Sequence, residues 1–461
     1  MAFRFVLLIS SIITSVFSQP CPPGPVALRG WNSWDPIANT VNENDILNAA
    51  TWMRDNLLQY GFNIITIDGG WYSNQTSGNK QGSNIIDGYG LPVPDVTRFP
   101  SSAGGKGLLP LAQQINKMGL KLGAWTIRGI TPEAYTANLP IKNSNFRARD
   151  VGLLTLATNC SWDPNTLGTN APSLAADAWY ASLADHYTAN GLQFVKIDCM
   201  FGGPSHDWWF EDEVNSFATA FAARAPNIDI SWSPGNAQSP AGGAYIAAHA
   251  PAWGNMYRIT NDFHDNEGTD TLLQHLDVAA FFAPLIGVNG SFPDLDMLPF
   301  GLQSGGENAA GQRLPPRQNL FTEDEQRLVM TLWAMTRAPL MLGTVLPLPA
   351  NDTLTLSLVG NAAVLDINAR SCRNAPTPVL QTTNTTALYA WTASAPEGDA
   401  IIVALFNMRD QATNVSAATG VPGGCVTNVW TSASDGTLDS SGLITKLIAP
   451  RASGLYSVGT C

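Results

Sequence analysis

The sequence predicts an α/β fold, a (β/α)8 barrel of the TIM type followed by a C-terminal antiparallel β-sandwich, and three observations carry that reading. Short apolar runs recur along the first three quarters of the chain with helical segments between them. Aspartates directly follow several of those runs. After about residue 350 the pattern changes to short alternating segments broken by Ser, Thr, Gly and Asn.

The N-terminal stretch, Met-Ala-Phe-Arg followed by apolar residues from Phe5 to Phe17, reads as a secretory signal peptide over residues 1–18. It is too short for a membrane span, and Pro20, Pro22 and Pro23 follow it at once. The strand-like runs are Ala27 to Trp31, Phe62 to Ile67, Leu120 to Ile127, Leu192 to Ile197, Ile228 to Trp232, Met256 to Ile259, Phe281 to Val288 and Pro339 to Leu342. Two helices mark their starts. Thr40 with Glu43 predicts a capping box, as does Thr322 with Glu325. A barrel over 19–348 and a sandwich over 349–461 follow, the latter from runs such as Ala387 to Thr392, Ala400 to Phe406, Cys425 to Trp430 and Gly454 to Val458.

A formal net charge of −12, with 24 Lys and Arg in 461 residues, argues against nucleic acid or an anionic membrane as partner. The 14 Trp and 10 Tyr offer flat apolar faces of the kind that stack on sugar rings, although such residues also simply fill cores. Six cysteines fit disulfides in an oxidising compartment, with 15 possible pairings, and no CxxC pair or His cluster suggests zinc. Asn74, Asn159, Asn289, Asn351, Asn384 and Asn414 begin glycosylation triplets, which with the leader implies a secreted glycoprotein.

In a barrel of this type the active site lies at the C-terminal strand ends. There the chain reads Ile67-Asp68-Gly69-Gly70-Trp71, Lys196-Ile197-Asp198-Cys199, Arg258-Ile259-Thr260-Asn261-Asp262 and Pro293-Asp294-Leu295-Asp296-Met297. One such aspartate is as readily a helix cap as a catalyst; the group of them fits glycosidic hydrolysis, which needs a proton donor and a second carboxylate across the ring. Lys196 lies two residues before Asp198, so both face the site, and its burial calls for a carboxylate partner. Arg258 pairs with Asp262 if the strand gives way to a turn between them; otherwise it forms a surface salt bridge.

These segments, with Gly30-Trp31-Asn32-Ser33-Trp34 and Thr331-Leu332-Trp333-Ala334-Met335 through Ala338-Pro339-Leu340-Met341, occur in an order that resembles glycoside hydrolase family 27, the melibiase or α-galactosidase family, in its plant-type branch. The resemblance is strong over roughly 27–345. It implies a retaining double displacement with Asp198 as nucleophile and Asp262 as acid/base, without metal or organic cofactor. It also implies that Trp31, Asp68, Lys196, Arg258 and Asp296 hold the non-reducing-end sugar and that Cys160 and Cys199 form a disulfide beside the nucleophile. Trp125 is a further candidate for sugar binding, and Trp125 or Trp71 is the alternative to residue 69 for defining the C6 pocket. Family α-galactosidases usually carry two successive carboxylates after the second strand; this chain has Asp68-Gly69, which would suit a sugar without a C6 group, β-L-arabinopyranose. The stretch from Ile130 to Ala157 departs from the family pattern as well. Asp262 is expected to be protonated at mildly acidic pH, since neighbouring carboxylates and burial disfavour its charge, while Lys196 keeps Asp198 ionised. The expected function is release of terminal α-D-galactose, with β-L-arabinopyranosidase as the near alternative and a non-catalytic carbohydrate-binding protein as the distant one.

Overall fold

The computed structural model describes residues 20–74, 82–155, 159–202, 208–234, 240–266, 268–308, 312–380 and 384–461. The expected signal peptide lies outside them. By its internal contacts the chain divides into one unit of Ala27–Phe321 with Ala338–Gly360, and another of Thr322–Arg337 and Asn361–Cys461 with the described residues up to Val26.

The main sheet of the first unit has eight strands: β1 Arg29–Asn32, β2 Ile64–Ile67, β3 Lys121–Ile127, β4 Phe194–Asp198, β5 Asp229–Ser233, β6 Met256–Arg258, β7 Phe292–Asp294 and β8 Leu340–Leu342. All pair in parallel in the order β8-β1-β2-β3-β4-β5-β6-β7. The sheet closes beyond β7. Leu298 bridges Leu342, its N–H donating to the Met341 carbonyl at 2.8 Å and its carbonyl accepting from Gly343 N–H at 3.0 Å. Closure leaves no free edge, and strands buried on both faces explain why β2 reads as the unbroken run Ile-Ile-Thr-Ile. Inside, Ile64, Phe194, Met256 and Met341 come from the four even-numbered strands and pack as one layer with Met297. Layers drawn from alternate strands are how a small barrel fills its interior. This apolar floor lies among the residues that also bear the site.

Two details of the sequence reading are corrected. The run from Phe281 to Val288 is not the seventh strand: it spans the end of the helix Thr269–Phe282 and the 3-10 turns Ala283–Leu285 and Val288–Gly290. A short apolar run satisfies a buried helix as well as a strand, and the true strand is three residues long with Pro293 in it, a residue that argues against strand in sequence. The first capping box is Asn42 with Asp45, at the start of the helix Glu43–Asn56, while the Thr40 hydroxyl donates instead to the Ile37 carbonyl. Thr322 and Glu325 do form the box at the helix Glu323–Met335.

The second unit holds β9 Cys372–Thr377, β10 Leu388–Ser394, β11 Ala400–Asn407, β12 Thr413–Ala418, β13 Cys425–Asn428, β14 Ser434–Thr437, β15 Leu443–Ile448 and β16 Ala452–Gly459. Six form an antiparallel sheet in the order β9-β10-β11-β16-β13-β14, and β12 pairs with β15. Alternate residues of both sheets, Val403 and Leu405 with Val415, Ala417 and Ile444 among them, share one core, which makes an unequal sandwich. Disulfides join Cys21 to Cys372, Cys160 to Cys199 and Cys425 to Cys461. Among the described residues no helix is long and apolar enough to cross a membrane.

Candidate active site

At the C-terminal strand ends of the barrel a cavity of about 200 Å³ is lined by Trp34, Asp35, Asp68, Trp125, Trp162, Lys196, Asp198, Arg258, Asp262, His264, Asp296 and Met297. That is smaller than the usual pocket for a drug-sized molecule and suits a single ring.

Strand alternation places the first members. Phe194, Lys196 and Asp198 lie on one face of β4, so the side chain beneath the site is apolar and the two above it are polar. Lys196 Nζ donates to Asp68 Oδ2 at 3.0 Å, with both side chains largely buried. Burial alone would lower the lysine pKa, but Asp68, Asp198 and Asp296 outweigh it and hold the ammonium above its ordinary value. Asp68 is held further by the Asn32 amide at 2.7 Å and by Gly69 N–H at 2.7 Å. Asp198 accepts from the Trp125 indole N–H at 3.1 Å on one oxygen and from Cys199 N–H at 2.8 Å on the other. Both bonds orient the carboxylate before any ligand arrives.

The other wall is built where β6 ends at Arg258. The chain then turns, and Arg258 Nη1 reaches Asp262 Oδ1 at 2.6 Å and Asp296 Oδ2 at 3.7 Å. Arg258 is 12% exposed, which rejects the surface salt bridge. Asp262 itself is 61% exposed and stands at the mouth. The Arg258 guanidinium therefore holds the Asp262 carboxyl below the usual carboxylate range, against the opposing effect of desolvation. This corrects the expectation of a raised Asp262: one cation at ion-pair distance outweighs the more distant carboxylates. Asp296 accepts from Phe263 N–H at 2.8 Å and has φ of 83°, while Cys199 has φ of 59°. Left-handed backbone is unfavourable for both side chains, and both flank the cavity. Below them the Asp294 carboxyl, fully enclosed, is pushed up to about 7, chiefly by burial and then by Asp296.

One proposed ligand residue lies elsewhere. Trp31 is wholly buried in the barrel wall, where its indole donates to the Thr344 carbonyl at 2.7 Å. It alternates with Asn32 along β1, and Asn32 takes the inner face. The chain turns after β1, Trp34 N–H capping onto Asn32 Oδ1 at 2.8 Å, and this brings Trp34 and Asp35 to the cavity instead. Trp162, His264 and Met297 were also missed. Each lies within two residues of a residue already singled out, Cys160, Asp262 and Asp296, and that adjacency was the available signal. Trp71 is buried, its indole donating to the Trp125 carbonyl at 2.8 Å.

No protein-family model matches the chain. A solved structure of a family 27 β-L-arabinopyranosidase from Geobacillus stearothermophilus, in complex with arabinose, is 28% identical, covers 96% of this chain and 98% of its own, and superposes with a TM-score of 0.84. Another structure of that enzyme is 29% identical, with a TM-score of 0.83 and coverage of 96% and 97%. Alpha-galactosidase 2 of Arabidopsis thaliana is 25% identical over 374 residues, 80% of this chain and 73% of its own. Over most of its length the chain is similar to enzymes of glycoside hydrolase family 27. It is a glycosidase that takes a carbohydrate substrate.

Proposed function

We propose that this family 27 glycosidase is a retaining exo-α-galactosidase in which Asp198 attacks the anomeric carbon and Asp262 serves as acid and then base. The observation that carries the roles is the unequal setting of two carboxyls facing one small cavity. Asp198 is fixed from both sides by the Trp125 and Cys199 N–H groups, as a nucleophile must be, whereas Asp262 stands exposed at the mouth where a leaving group departs. Lys196, Arg258, Asp68 and Asp296 surround them with donors and acceptors for ring hydroxyls.

Arg258 keeps Asp262 ionised in the free site, so the acid step requires that the bound sugar raise its pKa by displacing solvent. Formation of the glycosyl-enzyme ester removes the Asp198 charge, which lowers the Asp262 pKa again and suits it to act as base toward water. Gly69 favours a second substrate. No side chain follows Asp68 to hold a C6 hydroxyl, so β-L-arabinopyranosides should be cleaved too, in keeping with the arabinopyranosidase relative. The leader, three disulfides and the exposed sequons at Asn74, Asn289, Asn351, Asn384 and Asn414 support a secreted glycoprotein.

The test is hydrolysis of nitrophenyl α-D-galactoside and β-L-arabinopyranoside, with the first-formed anomer identified by NMR. Asp198→Asn should abolish turnover on every substrate, and Asp262→Asn should spare substrates with activated leaving groups. Product of inverted configuration, or near-native turnover by the Asp198 variant, defeats the assignment.

A further inference from the structure

Asp35 presents a carboxyl that the fold leaves without a hydrogen bond among the described residues. It is enclosed among the cavity-lining residues, its side chain 2% exposed, and neither oxygen has a hydrogen-bond partner among the described residues. The His264 imidazole Nε2 lies 3.5 Å from Oδ1. Burial above all, with Asp296 and Asp262 adding to it and His264 and Lys196 opposing, raises its pKa well above the ordinary aspartate value. A buried polar group with no hydrogen bond costs a fold free energy, and native structures rarely keep one without a use.

The surroundings are shaped to house it. A Cβ on Gly343 would stand 2.3 Å from Asp35 Oδ2 and 3.1 Å from Asp35 Cβ, so any other residue just past β8 would evict the carboxyl. Asp35 also follows β1, the neighbour of β2, whose own end carries Gly69 where a second carboxylate is absent. We infer that Asp35 is a substrate-binding residue, supplying from the β1 loop a carboxyl that hydrogen-bonds one hydroxyl of the terminal pyranose. A hydroxyl both donates and accepts, which matches a carboxyl in either protonation state. The inference rests on the exo-glycosidase reading and adds a recognition element to it.

The experiment compares wild type, Asp35→Asn and Asp35→Leu on nitrophenyl α-D-galactoside and its monodeoxy derivatives, with the arabinopyranoside alongside. Circular dichroism and melting establish that each variant is folded, and the Asn variant, nearly identical in shape, serves if the Leu variant is not. The intrinsic reactivity of each deoxy substrate cancels because the same substrate is compared on different enzymes. We expect kcat/KM on the parent glycosides to fall about 10- to 100-fold in the variants. At one ring position the wild-type penalty for deoxygenation should shrink by about tenfold or more, since the bond is already lost. Deoxy penalties unchanged at every position would overturn the role of Asp35 while leaving the glycosidase intact. A folded wild type that cleaves neither parent glycoside would instead overturn the reading of the function, and this inference with it.

Discussion

Replacing Lys196 by methionine tests whether the site is held by a buried ion pair. The substitution keeps the length of the aliphatic stem and removes the ammonium that lies 3.0 Å from Asp68 Oδ2, between side chains 13% and 3% exposed. Breaking one partner of a buried pair typically costs about 3–5 kcal/mol, because the remaining charge is left uncompensated. Asp68 keeps the Asn32 and Gly69 N–H groups, which places the loss nearer about 3 kcal/mol, a large share of the roughly 5–15 kcal/mol that stabilises a typical protein. Urea unfolding of both proteins, followed by tryptophan fluorescence, reads the deficit directly. A deficit below about 1 kcal/mol would put the pair in the class of solvated surface bridges and refute the argument.

Gly69→Asp should move the galactoside-to-arabinoside ratio of kcat/KM toward galactosides by one to two decades, the worth of about 1.5–3 kcal/mol for a hydrogen bond to a charged acceptor. Gly70, not Gly69, is the residue with φ of 89°, so the backbone admits the change, and an unmoved ratio would place C6 selection elsewhere. Trp162 is 52% exposed on the cavity rim, so Trp162→Ala should weaken KM for aryl and oligosaccharide leaving groups while the affinity for free galactose stays constant; equal losses on both would refute a leaving-group role. Asp294, with a folded pKa of about 7, stabilises the fold at acidic pH and loses that contribution as pH rises toward 7. Asp294→Asn should remove on the order of 4 kcal/mol of this pH dependence, so the melting-temperature gap between variant and wild type should widen from pH 4 to pH 7. Parallel melting profiles would show that Asp294 ionises normally.

The barrel was legible because its strands are continuous apolar runs and its site residues directly follow them; Lys196 and Asp198 needed only the two-residue period of a strand to be placed together. Local pattern failed where two structures satisfy it equally. The apolar run from Phe281 closes the helix Thr269–Phe282 and continues in 3-10 turns, and the three residues of β7 owe their strand geometry to pairing with Met256, Tyr257 and Arg258. Trp31 and Trp34 share one motif, and the turn after Asn32 decides which of them meets the cavity. The same holds for charge. The sequence shows many aspartates, but the ionised state of Asp262 depends on Arg258 arriving at 2.6 Å, and the enclosure of Asp35 depends on Gly343, far along the chain. Composition and periodicity alone thus determined the fold class and the strand ends that bear the chemistry. Only the tertiary structure decided which side chains face one another there, because distance and burial in three dimensions set hydrogen bonds and pKa values, and neither is a property of neighbouring residues in sequence.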